Sequence, residues 1–131
     1  MPDYVKGIIA DCGYTTPYDM FYHYGRRAYH IPPFLMEMFN RYCIRHAGID
    51  LKSYSTVEAM KPNEVPVYFV HGKGDTFVPM EMTLKSYEAC KAPKRLLLVK
   101  DAPHAMSFLF GQEQYVRGAH EFFTECEEQQ K

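Results

Sequence analysis

The chain has 131 residues, 47% of them apolar and 24% charged, with a formal charge of −1. That length allows one domain with a moderate core, and that balance excludes a disordered chain. The two signs are interspersed, so no basic footprint for nucleic acid or an anionic membrane is visible, and the apolar runs are too short to span a bilayer.

The segment from Met1 to Lys6 has neither the basic nor the apolar region of a signal peptide. Cys12, Cys43, Cys90 and Cys126 are scattered without a Cys-x-x-Cys pair, which disfavours zinc ribbons and redox motifs. Free thiols in a reducing compartment are the simpler expectation than two disulfides, and cytoplasmic location follows from it.

The first strand is expected at Val5 to Ala10, leaving through Asp11-Cys12-Gly13. Thr16 can cap a helix with Pro17 at its first position and Asp19 in its first turn. Aromatics crowd Tyr18 to Phe34, and Ile31-Pro32-Pro33 divides the stretch into two helices. The methionine- and aromatic-rich run from Tyr18 to Phe39 reads mostly as core and helix packing. Phe34, Leu35, Met38, Phe39, Tyr42 and Cys43 then repeat at helical spacing up to a stop at Gly48. Ser55-Thr56-Val57-Glu58 is a capping box for a short helix that Pro62 ends.

Val67 to Val70 is a continuously apolar strand that breaks into His71-Gly72-Lys73-Gly74-Asp75. Pro79 restarts a helix with Met80, Leu84 and Tyr87 on one face, and Pro93 closes it. A strand at Arg95 to Lys100 leads into Asp101-Ala102-Pro103-His104. The last helix, about Gln112 to Cys126, carries Tyr115, Val116, Ala119, Phe122, Phe123 and Cys126 on one stripe, before a solvated Glu and Gln tail expected to fray.

Strands alternating with helices imply a parallel α/β sheet joined by crossovers. Continuous apolar runs fit strands covered on both faces. Reactive residues of such sheets gather beyond the carboxyl ends of the strands, where Asp11, Asp75 and His104 fall.

Each candidate also has a plainer reading. Asp75 could cap the helix near Pro79, and His104 could be an ordinary loop histidine. Together, an aspartate and a histidine on successive strand exits favour catalysis. His71 reads as a packed structural histidine. Gly72-Lys73-Gly74 lacks the Walker pattern and reads as a tight turn. His23, His30 and His46 lack metal-ligand spacing, and no metal or other cofactor is expected.

Val5 to Thr15, His71-Gly72 with Asp75 and Val78-Pro79, and Ala102 to Ser107 together resemble the serine aminopeptidase-like and esterase-like branch of the α/β-hydrolases. The resemblance runs through the whole chain and corresponds to the family's sixth to eighth strands. It implies a truncated α/β-hydrolase fold with a three-stranded parallel sheet and flanking helices. Residues 1–131 would be one carboxyl-terminal portion, with 18–62 a helical, cap-like connection.

The resemblance further implies that Asp75 orients the imidazole and His104 carries the proton from the serine to the leaving group. Phe21, Tyr22 and Phe34 would line the acyl pocket under a lid. No Gly-x-Ser-x-Gly elbow occurs, and none of Ser53, Ser55, Ser86 and Ser107 stands in one. Ser107 is expected to face the following helix. Cys12 ends a strand without a strained turn into a helix, so it is a poor substitute nucleophile.

The expectation is the carboxyl-terminal part of a serine hydrolase, acting on a small-molecule ester, thioester or amide only when the serine and oxyanion hole are supplied. A non-catalytic binding or scaffold module derived from such an enzyme is the alternative. A flavodoxin-like half-domain is disfavoured because no glycine-rich loop follows the first strand. A homo-oligomer through the edge strand at 5–10 is expected, without nucleic acid or membrane partners.

Overall fold

The computed structural model describes residues 4–128; the start of the signal-peptide reading, residues 1–3, and the end of the Glu and Gln tail, 129–131, lie outside them. The elements run β1 (Ile8–Asp11), α1 (Pro17–Tyr29), α2 (Pro33–Ala47), α3 (Thr56–Met60), β2 (Val67–Gly72), α4 (Met80–Ala89), β3 (Lys94–Val99), α5 (Ser107–Phe110) and α6 (Gln112–Glu128). The three strands form the expected parallel sheet in the order β1-β2-β3.

Central strand β2 is buried along its whole length. Its alternate residues feed two cores. Tyr68 and Val70 pack with Val99, Ala102, Phe122 and Cys126 beneath α6. Val67 and Phe69 pack with Cys90 and Ala92 on the opposite face, joined by Met60 and Tyr87 from α3 and α4. Burial on both faces accounts for the unbroken apolar run. Arg95 reaches Glu121 and Glu125, an ion-pair clamp between β3 and α6.

Strand β1 begins at Ile8, three residues later than the sequence pattern suggests. The Ile8 amide donates to the carbonyl of Pro66 at 3.0 Å. One step earlier, the parallel ladder would need an N–H that Pro66 lacks. Strand β3 is displaced by one residue, to Lys94–Val99, where Val67 pairs with Lys94.

The caps follow local chemistry. Thr16 accepts from the Asp19 amide at 2.9 Å, and Ser55 accepts from the Glu58 amide at 3.3 Å. Helix α2 ends at Gly48 with φ at 68°, in the left-handed region where glycine carries no Cβ penalty.

Burial departs from the periodicity in three helices. In α2 the buried residues are Met36 and Asn40, whereas Phe34, Met38 and Tyr42 are exposed. Asn40 turns inward because its amide donates to Asp50 and its carbonyl accepts from the Leu51 amide. The stretch expected to pack as core therefore presents apolar rings to solvent. In α4 the buried face is Met82, Thr83 and Ser86, with Met80 and Leu84 only half-buried. In α6, Val116 and Phe123 lie on the exposed margin of the stripe.

Candidate active site

Asp75 and His104 stand on neighbouring turns, each at the exit of a parallel strand. The turns are laced together by the backbone: Lys73 N donates to Val99 O at 2.8 Å, and Gly74 N donates to Ala102 O at 3.0 Å. This closeness requires glycine, because a Cβ on residue 72 would lie 2.1 Å from the carbonyl oxygen of Ala102.

His104 Nδ1 lies 2.8 Å from Asp75 Oδ2. The carboxylate is fully buried and the imidazole 39% exposed. With Nδ1 on the acid, Nε2 is the nitrogen turned away from it. Asp75 Oδ1 accepts from the amides of Phe77 and Val78, both at 2.9 Å. The aspartate thus closes its own turn and leaves one oxygen for the histidine. It does not cap α4, whose N-cap is Pro79 without a side-chain cap bond.

Cys12 supports the histidine loop from below. Its Sγ accepts from the Ala105 amide at 3.3 Å and donates to Asp11 Oδ1 at 3.2 Å. Burial pushes the thiol up to about 11; the Ala105 amide opposes this, and the bond to Asp11 and its charge add to it. A thiol so raised is protonated at neutral pH and is a weak nucleophile. Ser107 is fully buried.

His71 is also fully buried, with Nδ1 2.7 Å from Thr83 Oγ1 and Nε2 3.0 Å from Val78 O. Donor atoms of Cys12, His71 and Asp75 lie within 4.8 Å of one another. Cys12 is engaged by Ala105 and Asp11, His71 by Thr83 and Val78, and Asp75 by Phe77, Val78 and His104, and the thiol keeps its proton. This makes the cluster a hydrogen-bonded one.

The three aromatics expected to line an acyl pocket separate. Phe21 lines an open apolar cavity of about 360 Å³ between α1 and α2, with Tyr24, Ile31, Leu35, Met36 and Phe39. Tyr22 instead stacks on Tyr18 with ring centroids 6.1 Å apart, and Phe34 is 63% exposed; neither lines that cavity. Phe77 escaped the sequence reading. Its ring lies 4.8 Å from Tyr24 and 4.9 Å from His104, joining the cavity wall to the imidazole. Its only sequence signal is its place two residues after the aspartate.

No family model matches the chain. It is 27% identical over 115 residues to the uncharacterized protein YqkD of Bacillus subtilis, a match covering 87% of this chain and 38% of that protein. Among solved structures, an esterase from Pyrococcus furiosus superposes with a TM-score of 0.67 at 17% identity, covering 94% of this chain and 46% of the esterase. A sugar hydrolase from Lactococcus lactis gives 0.65 at 16% identity, covering 96% of this chain and 50% of the hydrolase. The chain therefore spans half or less of the length of each of these proteins. Over that span, its parallel sheet and flanking helices have the fold of the α/β-hydrolases.

Proposed function

We propose that Asp75 and His104 are the acid and base of a serine hydrolase acting on an ester, thioester or amide. The contact of 2.8 Å between a buried carboxylate and an exposed imidazole carries this reading. Asp75 holds the ring with Nδ1 protonated and stabilises the imidazolium. His104 Nε2 takes the proton from the attacking hydroxyl and returns it to the leaving group. The nucleophile and oxyanion hole come from sequence beyond these 131 residues, since no Gly-x-Ser-x-Gly occurs in them.

The cavity beside α1 is the site for the acyl group. Phe21 lies in its wall, and Tyr24 and Phe77 lead from it to the imidazole. An apolar wall of this size suits a hydrocarbon chain better than a charged one.

A fluorophosphonate probe tests the reading. The chain alone is expected to remain unlabelled. Joined to a segment that supplies the Gly-x-Ser-x-Gly elbow and oxyanion hole, it is expected to be labelled, and to lose labelling on His104→Ala. Absence of labelling in a folded chimaera would instead favour a non-catalytic module.

A further inference from the structure

The buried imidazole of His71 meets the same carboxylate oxygen as His104. Its Nε2 is 3.3 Å from Asp75 Oδ2, the atom that His104 Nδ1 approaches at 2.8 Å. We propose that His71 is a positioning residue that shares the Asp75 carboxylate with His104 and limits the negative charge His104 receives.

Proton placement supports this. Nε2 of His71 faces the Val78 carbonyl at 3.0 Å, and a carbonyl only accepts, so Nε2 carries a hydrogen. That hydrogen points at the carbonyl, and Asp75 Oδ2 lies 3.3 Å from the same nitrogen, close enough to feel the positive end of the N–H dipole. On the other side, the Thr83 hydroxyl has one hydrogen and two neighbours, His71 Nδ1 at 2.7 Å and the Gly13 carbonyl at 3.1 Å. If the hydrogen goes to Nδ1, His71 is neutral. If it goes to Gly13, Nδ1 must donate and His71 is a cation.

Both arrangements keep Nε2–H beside the carboxylate, 3.3 Å from Oδ2. Both therefore offset part of the negative charge on Oδ2 that faces His104. Ionisable groups near the pair are Cys12 and Asp11 at the end of β1, Tyr115 of α6 beside Asp11, Lys73 in the Asp75 turn and Asp101 beside Gly74. Cys12 Sγ lies within 4.8 Å of both groups, and its thiol, raised to about 11, keeps its proton at neutral pH.

This inference rests on reading His104 as the proton carrier, but its test needs no hydrolysis, so the two can fail separately. The chain labelled with 15N-histidine is titrated by NMR, and the His104 midpoint is read in the wild type and in two variants. In His71→Phe, the His104 protonation constant is expected to rise about threefold or more, as the carboxylate turns wholly to the remaining imidazole. His71→Gln keeps an N–H at a similar reach and is expected to stay within about twofold of wild type. A His104 constant that falls or stays unchanged in His71→Phe would show that His71 only packs the turn, and would overturn the proposal. Should His71→Phe not fold, Thr83→Val decides. Losing the hydroxyl weakens donation by His71, so a smaller rise supports the proposal and a fall or no change overturns it.

Discussion

One carboxylate at Asp75 fixes its turn through Oδ1 and meets two imidazoles through Oδ2. Asp75→Ala would leave the Phe77 and Val78 amides without their acceptor, at a cost of about 2 kcal/mol. Asp75→Asn keeps an acceptor for those amides and is expected to cost less. Urea unfolding of both variants measures the difference. Cys12 gives a second prediction with a defined sign. Its folded value of about 11 lies above the ordinary 9.0, so its contribution to stability is fully present below pH 9.0 and is lost as pH rises through about 11. Cys12→Ala is expected to flatten that alkaline limb of the stability curve. At neutral pH the thiol should alkylate roughly a hundredfold more slowly than a free cysteine, as timed mass spectrometry would show. Asp75 and His104 were legible because each follows an apolar run and a turn. His71's second partner and the ring of Phe77 were not, since their meaning lies in contacts through space that no local spacing encodes.

At the level of elements, the pairing of the two turns depends on Gly72. Gly72→Ala is expected to push the Ala102 loop away and destabilise the chain by about 3 kcal/mol. Gly13→Ala is the control, because a Cβ there meets nothing within 4 Å. Thermal melts of the two should differ sharply, and a Gly72 variant as stable as the Gly13 variant would contradict the close approach. The strand order, the proline-divided helices and both side-chain caps could be read from sequence, since they rest on local stereochemistry. The start of β1 could not, because Pro66, just before the neighbouring strand, limits it. The buried stripe of α2 was misread for a related reason: the tether from Asn40 to residues 50 and 51 rotates the helix away from its most apolar face.

Across the whole molecule, β1 pairs with β2 and lies at one edge of the sheet, while Phe34, Met38 and Tyr42 project from α2. An unpaired edge and exposed apolar rings favour association. Sedimentation velocity at micromolar concentration is expected to show particles containing more than one copy, and a clean monomer would contradict this. No helix among the described residues is long and apolar enough to cross a membrane. Phe77, wedged between Tyr24 and His104, has a spectroscopic consequence. A guest that reorients the aromatic wall of the helical hairpin must also tilt the Phe77 ring current over the imidazole. The His104 ring protons would then shift on ligand entry without being touched by the ligand.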